Sequence, residues 1–346
     1  MHKLTVKDLM PGMVLEEEVY NKNGAVVIPK GTKLTPKKIE LLKTWGVVYI
    51  KNNKVPRMDF DNKKELKESY NKSKEKITSF MEELKDSEML EGEDIAEIEK
   101  ISDEMLTYTL SSKSYAGLIN EMKSKDSYTF QHSINVSIYA SLMGKWMGYD
   151  FEAIRLLSMA AILHDIGKMK VPEEILNKPG ELTAEEFEEV KKHPEYGYNM
   201  IFYSPSLGKD VALGVLQHHE RNDGNGYPLG LKEDRITEFA KIIAVADIFD
   251  AITSTRIYAD RFSPFDALKE IRSGAFKDLD PKISLMFFDN IISYFVGSDV
   301  ILNTGEKGEI VYFNKEDLYN PVVRTESEII DLSKDDAREL KDVLIF

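Results

Sequence analysis

Residues 156–168 read LLSMAAILHDIGK, an apolar segment that ends in a histidine and an aspartate just before a glycine. The apolar run predicts a buried helix, and adjacent helical residues point about 100° apart. His164 and Asp165 therefore cannot share one narrow helix face. At the end of a helix both can still turn into one pocket, with Gly167 as the left-handed residue that caps the helix. The segment thus predicts an imidazole and a carboxylate side by side at the edge of a helical core.

Further candidate metal ligands lie on or just after other apolar segments: His132, His193, His218, His219 and Asp247. A carboxylate inside an apolar helix, such as Asp247, needs a partner or a metal ion. Imidazole and carboxylate without thiolate suit iron, manganese or zinc. Seven candidates are too many for one ion that keeps an open position. They suit two ions that share a bridging carboxylate, the arrangement of two-metal phosphoester hydrolysis.

The histidine pair opens a glycine-rich loop, residues 218–228, with the sequence HHERNDGNGYP. Three residues are expected to shape this loop: Gly224, Gly226 and Pro228. Arg221 has two interpretations. It contacts a substrate, or it holds the loop through Asp223 or Glu220.

Composition limits the class of protein. The net charge of −14 argues against broad affinity for nucleic acid or anionic membranes. The chain has no cysteine, which excludes disulfides and thiolate ligands. No apolar run approaches the roughly 20 residues of a membrane-spanning helix, and the N-terminus has no signal-like core. These features predict a cytoplasmic protein.

The fold class is predicted to be mainly α. A small α+β module is expected in residues 1–55, a helical linker in 56–126, a helical domain in 127–296 and a β-rich appendage in 297–346. In the appendage, Val300–Leu302, Ile310–Phe313 and Val322–Val323 are strand-like, with Gly305 and Gly308 expected at the turn between the first two.

The linker contains one apolar stripe at helical spacing: Leu66, Tyr70, Ile77, Phe80 and Leu84, with Ser73 at the missing position. Such a stripe is typical of an amphipathic helix or of a coiled-coil seam. Two alternatives are open. The stripe docks on its own chain, or it docks on a second subunit as a homodimer.

The ordered motifs resemble the HD-GYP family, a branch of the HD-domain phosphohydrolases. The resemblance covers about half of the chain, and residues 127–296 would be its catalytic domain. It rests on His132, His164-Asp165-x-Gly167-Lys168, His193-Pro194, the histidine pair, Gly226-Tyr227-Pro228, and Asp247 with Asp250. A lone His–Asp pair would carry no weight, but the ordered set is specific.

The resemblance implies an all-helical bundle with a metal cluster at its centre. One divalent ion would be held by His132, His164, Asp165 and Asp247. Asp165 would bridge to a second ion, which is held by His193, His218 and His219. The resemblance favours iron or manganese, with zinc as a further candidate. Asp250 is expected to orient a histidine from outside the ligand set.

The resemblance also implies a reaction, hydrolysis of cyclic di-GMP to the linear dinucleotide, with two alternatives for the final product, the linear dinucleotide itself or GMP. Asp165 and Lys168 would be catalytic, with a bridging hydroxide attacking in line while Lys168 neutralises a phosphate oxygen. Tyr227, Arg256 and Arg221 would contact the substrate. An alternative for Lys168 is a helix-end cation.

Two positions depart from the family pattern. Tyr128 stands where some members carry a glutamate that supports a third metal, which favours two ions here. Ala259 stands where a basic residue often follows the tyrosine of the Arg256-Ile257-Tyr258 segment. Two alternatives for the function are open: a phosphodiesterase for another cyclic dinucleotide, or a signalling adaptor that binds a dinucleotide and turns over little. Ala259 is the only sequence support for the adaptor.

Overall fold

The computed structural model describes residues 3–5, 13–15, 18–20, 26–32, 34, 36–44, 49–51, 57–58, 63–111, 128–204, 207–255, 278–314, 317–335 and 337–344. The N-terminal strands pair antiparallel. Strand β1 (Lys3–Thr5) pairs with β5 (Tyr49–Lys51), β2 (Met13–Val14) with β6 (Arg57–Met58), and β3 (Val19–Tyr20) with β4 (Val26–Ile28). Helix α1 (Pro36–Thr44) lies between β4 and β5 in the chain. Strands and a helix in this segment agree with the predicted α+β character.

Two long helices follow, α2 (Lys63–Glu83) and α3 (Gly92–Ser111), joined through a 3-10 turn at Leu84–Asp86. Four residues of the apolar stripe are buried within their own chain, since Tyr70, Ile77, Phe80 and Leu84 are at most 3% exposed. Helix α2 packs against α3 and against the first helix of the bundle described next. Of the two alternatives for this stripe, docking on its own chain is therefore confirmed.

The helical bundle contains α4 (Tyr128–Trp146), α5 (Phe151–Leu163), α6 (Glu173–Leu176), α7 (Ala184–Val190), α8 (His193–Ile201), α9 (Gly208–Gln217), α10 (Glu238–Thr255) and α11 (Pro281–Ile291). Helix α5 begins at Asp150, whose side chain accepts a hydrogen bond from the amide of Ala153 (2.8 Å). All residues of α5 from Leu157 to Leu163 are buried. Each large apolar side chain contributes about 1.5–3 kcal/mol on burial. The packing of α4, α9 and α3 against α5 makes it the central helix.

The C-terminal sheet has five antiparallel strands in the order β10-β9-β8-β7-β11. Their ranges are β7 (Asp299–Leu302), β8 (Lys307–Asn314), β9 (Asp317–Thr325), β10 (Ile329–Asp331) and β11 (Leu340–Leu344). Gly305 has φ +88° and forms the predicted turn. The expectation for Gly308 is wrong, because Gly308 lies within β8, where a Cβ would meet Val323 Cγ1 at 2.4 Å. Within the described residues, no helix is long and apolar enough to cross a membrane.

Candidate metal centre

The candidate ligands come from the ends or middles of five bundle helices and converge in space. His132 lies on α4 and Asp247 on α10, while His193 is the first residue of α8. His164 follows α5 directly, and the histidine pair follows α9. Two groups have ligand atoms that all lie within 4.8 Å of one another: Asp165, His193, His218 and His219; and His132, His164 and Asp165. Asp165 belongs to both groups.

The turn after α5 differs from the one expected. Asp165 adopts φ −100° and ψ 6°, and a 3-10 helix follows at Ile166–Lys170. Gly167 lies within this 3-10 helix, so its prediction as a left-handed cap is wrong. Its physical role is close approach, because a Cβ at this position would lie 1.9 Å from the backbone oxygen of His193. Gly197 of α8 faces the same contact, since a Cβ added there would lie 3.3 Å from the Gly167 nitrogen. The two glycines therefore let the turn bearing Asp165 pack against the helix bearing His193.

Three of the histidines are oriented by the same local contact. The Nδ1 atoms of His164, His193 and His218 lie 2.7–2.8 Å from the backbone oxygens of Ala161, Val190 and Val215, each three residues earlier. A backbone carbonyl can only accept, so Nδ1 carries the proton and donates. Each Nε2 then presents a lone pair to the centre, which is the form that binds a metal.

These lone pairs face other acceptors at short distance. His193 Nε2 and His218 Nε2 are 3.3 Å apart. His164 Nε2 is 3.3 Å from Asp165 Oδ2, and His193 Nε2 is 3.3 Å from Asp165 Oδ1. Both His164 Nε2 and Asp165 Oδ1 are buried without a hydrogen-bond partner. Buried acceptors that face acceptors are unfavourable unless a cation lies among them, so this donor set fits divalent metal ions.

His132 is held between two carboxylates. Its Nε2 lies 3.0 Å from Asp247 Oδ1, and its Nδ1 lies 2.7 Å from Asp250 Oδ2. Burial alone would lower the pKa of His132, but the two carboxylates outweigh burial and raise it well above its usual value. Burial would raise the pKa of Asp247, and His132 outweighs this and lowers it. The contact from Asp250 confirms the prediction that this residue orients a histidine.

Asp165 and the histidine pair favour the protonation states that metal binding requires. Burial lowers the pKa of His218 well below its usual value, and burial lowers that of His219 to about 3. Burial would raise the pKa of Asp165, but His164 and Lys168 outweigh it and hold that pKa well below its usual value. Neutral imidazoles and an ionised carboxylate are the ligand forms of these groups.

The glycine-rich loop brings Tyr227 to the centre. Its ring stacks on His219, with centroids 4.6 Å apart. Gly226 allows the chain to fold back, because a Cβ there would lie 2.4 Å from the amide nitrogen of Arg221. The buried carboxylate of Glu220 holds the loop by accepting the amides of Leu229 and Leu231, both at 2.7 Å.

Arg221 contacts one of the two acidic residues that were predicted for it, Glu220, through the backbone. Its Nη1 donates to the backbone oxygens of Glu220 (3.0 Å) and His218 (3.3 Å). The Asp223 carboxylate accepts instead from the amide and the side chain of Asn225. The loop contact of Arg221 is therefore made to the backbone of Glu220 and not to the Asp223 carboxylate, and its role as a substrate contact stays a prediction.

Lys168 lies at the edge of the centre, with Nζ 2.6 Å from Asp165 Oδ2 and 38% of its side chain exposed. Tyr128 is the first residue of α4. Arg256, Tyr258 and Ala259 lie outside the described residues, so the substrate contact expected at Arg256 stays a prediction.

Sequence reasoning missed two contributors to the site, Gly197 and Asn135, and indicated Glu220 only as a partner of Arg221. Gly197 allows the close approach described above, and Glu220 holds the loop. Asn135 donates from Nδ2 to Asp250 Oδ1 at 2.9 Å and thereby supports the carboxylate that orients His132. The available sequence signal for Asn135 was a polar residue three positions after the candidate ligand His132, on the same helix.

Residues 116–283 match the family model of the HD domain. Over 243 residues the chain is 34% identical to the cyclic di-GMP phosphodiesterase PA4108 of Pseudomonas aeruginosa. The aligned region covers 70% of this chain and 58% of that protein. Over 159 residues it is 36% identical to the 3'3'-cGAMP-specific phosphodiesterase 1 of Vibrio cholerae, which covers 45% of this chain and 36% of that protein. The chain therefore spans between about a third and three fifths of these relatives.

One solved structure supports the fold. Bd1817, an HDG"Y"P protein from Bdellovibrio bacteriovorus, superposes with a TM-score of 0.52 at 17% identity, over 84% of this chain and 99% of that one. At this identity the similarity concerns the fold alone.

Proposed function

We propose that this chain, which belongs to the HD-GYP branch of the HD-domain family, is a metal-dependent phosphodiesterase that hydrolyses cyclic di-GMP to the linear dinucleotide. Whether the product is hydrolysed further to GMP is a question for the assay below. The catalytic unit in this proposal is residues 127–296, flanked by the parts at 1–55, 56–126 and 297–346. The match to relatives that are named cyclic di-GMP phosphodiesterases supports the substrate.

The observation that carries the proposal is the double membership of Asp165. Its two oxygens face two separate sets of imidazole lone pairs. A carboxylate shared in this way is the arrangement expected of a bridging ligand between two ions. His132, His164 and Asp247 would complete one ion site, and His193, His218 and His219 the other.

Bound divalent ions would supply a water of lowered pKa and neutralise charge on phosphoryl oxygens. The protein's own groups would orient the substrate. The Lys168 ammonium, partly exposed beside Asp165, is placed to meet a phosphate oxygen as a point charge. The Tyr227 ring, fixed by stacking on His219, offers a flat apolar face and a hydroxyl at the same edge. Arg221 and Arg256 stay proposed substrate contacts.

The test is hydrolysis of cyclic di-GMP by anaerobically purified full-length protein, reconstituted separately with iron and with manganese. Metal content is measured on the same samples. We expect turnover with about two ions per chain. In Asp165→Ala we expect loss of both the turnover and the bound metal. Wild-type turnover by a metal-depleted Asp165→Ala protein would contradict the site.

A second candidate substrate is another cyclic dinucleotide, and similarity to 3'3'-cGAMP-specific relatives supports it. Assay of both dinucleotides side by side separates the two substrates. The adaptor alternative predicts tight binding of cyclic di-GMP without turnover in any metal. The complete ligand set described above favours the enzyme.

Two further expectations stay predictions, a cytoplasmic location and a homodimer through the linker. The apolar stripe of α2 is buried within its own chain, so a dimer would require another face of the linker. Iron, manganese and zinc all remain compatible with the His/Asp donor set.

A further inference from the structure

A chain of hydrogen bonds connects α2 to a candidate metal ligand. Tyr70 Oη donates to Asn135 Oδ1 (2.9 Å), and Asn135 Nδ2 donates to Asp250 Oδ1 (2.9 Å). The other oxygen of Asp250 accepts from His132 Nδ1 (2.7 Å). We propose that Tyr70 is a positioning residue of the metal centre, which acts through Asn135 and Asp250 to hold the His132 ring with Nε2 toward the ion.

The hydrogen bonds from Tyr70 to Asp250 can run in only one direction. A carboxylate only accepts, so the amide nitrogen of Asn135 must face Asp250 and its oxygen must face Tyr70. The Tyr70 hydroxyl must therefore donate. Burial raises the pKa of Tyr70 well above its usual value, so the hydroxyl keeps the proton that it donates. The Tyr70 hydroxyl donates to the amide oxygen of Asn135, whose nitrogen donates to Asp250. Loss of this hydroxyl therefore removes a constraint on the amide of Asn135 and hence on Asp250.

The chain is also shielded from solvent. Tyr70, Asn135 and Asp250 are each at most 2% exposed. Bulk water therefore has no access through which it could replace a lost hydroxyl. His132, at the end of the chain, is 18% exposed in its side chain and faces the centre through Nε2.

Tyr70 lies outside residues 116–283, the span that matches the HD domain. It reaches the centre because α2 packs against α4, the helix that carries both His132 and Asn135. A segment upstream of the catalytic unit would thus take part in the geometry of one metal ligand. The inference rests on the metal site of the proposed function, but not on its substrate.

The decisive variant is Tyr70→Phe, which removes the hydroxyl and keeps the ring. Mn²⁺ binding by the full-length protein is measured by competition with a chelator, which resolves two affinities. We expect one affinity to fall about threefold to tenfold, less than the 10–100-fold typical of a group that touches the ligand itself. The other affinity should not change. Tyr108→Phe is the control, since Tyr108 is also buried, on α3, and its hydroxyl makes no hydrogen bond to Tyr70, Asn135 or Asp250.

Asn135→Ala provides a second background, in which the chain of hydrogen bonds is already broken. There the added Tyr70→Phe change should have no further effect on Mn²⁺ affinity. Thermal unfolding of each variant, followed by circular dichroism, checks that the fold is intact. Unchanged Mn²⁺ affinity in Tyr70→Phe would overturn the inference, and so would an equal loss in both backgrounds.

Parallel weakening of both ions together with a lower melting temperature would also overturn it, because that pattern indicates a purely structural residue. The proposal for the substrate can fail without the proposal for Tyr70. This is the result if the wild-type protein binds two Mn²⁺ ions but hydrolyses neither cyclic dinucleotide. In that case the Mn²⁺ titration still decides the role of Tyr70. Absence of Mn²⁺ binding by the wild type would overturn both proposals.

Discussion

Replacing Gly167 with alanine should disrupt the metal centre without removing a ligand. The added Cβ would lie 1.9 Å from the backbone oxygen of His193 and 2.4 Å from the amide nitrogen of Gly197. An ordinary C···O contact is about 3.3 Å, so the 3-10 turn and α8 must separate by roughly 1.4 Å at this point. Metal sites tolerate deviations of about 0.2 Å in ligand distance. Asp165 on one side of this contact and His193 on the other could then no longer share the ion that the proposed function assigns to them.

We expect Gly167→Ala to lose at least one of the two ions and about 100-fold in turnover, the effect typical of a 1 Å displacement. Overpacking typically costs about 1–3 kcal/mol of unfolding free energy and more where backbone must move, so thermal unfolding must first show that the variant is folded. Metal analysis, turnover and thermal unfolding on one preparation measure all three. Gly92→Ala is the control, because a Cβ at Gly92 meets nothing within 4 Å. Two ions per chain and wild-type turnover in Gly167→Ala would refute the reasoning.

Two further variants test the substrate side of the centre. Lys168→Met should keep the metal content and lower kcat/KM for the cyclic dinucleotide by about 100-fold, as expected for a lost phosphate contact in the transition state; unchanged steady-state kinetics would favour the helix-end alternative. Glu220→Gln should raise KM at constant metal content, because one of its two oxygens becomes a donor that faces the amide of Leu229 or Leu231 and leaves a buried donor unpaired, at a cost of about 1–3 kcal/mol. Equal KM in the variant and the wild type would show that Glu220 does not hold the loop.

The fold class and the residues that converge on the centre could be predicted because their sequence signals are unusual. Histidine and aspartate are costly inside apolar helices, so Asp247 within α10 required a physical reason. The helical stripe of α2 and the strand-like runs at β7 and β8 follow from simple periodicity. For the helix and the two strands, apolar residues at a regular spacing were enough to indicate the element.

Other features depend on contacts between segments that are distant in sequence. A glycine that caps a helix and a glycine that allows close approach look the same in sequence, and only the position of α8 shows which role Gly167 has. The sequence indicates Glu220 only as a partner of Arg221, whereas the structure places its carboxylate at the amides of Leu229 and Leu231. The short strands β10 and β11 lie at the edges of the sheet, where burial imposes a weaker alternation on the sequence.

Tyr70 illustrates the limit most clearly. Hydrophobic periodicity counts tyrosine among the apolar residues of a stripe, because its ring packs as a phenylalanine ring does. The ring of Tyr70 is indeed buried at a stripe position of α2. Its hydroxyl, however, needs a partner when it is buried, and the partner is Asn135 on α4. The same side chain thus packs α2 onto the bundle and supplies the first hydrogen bond of a chain that ends at His132. A helix that docks through such a residue cannot shift without changing a polar contact that leads to the metal centre.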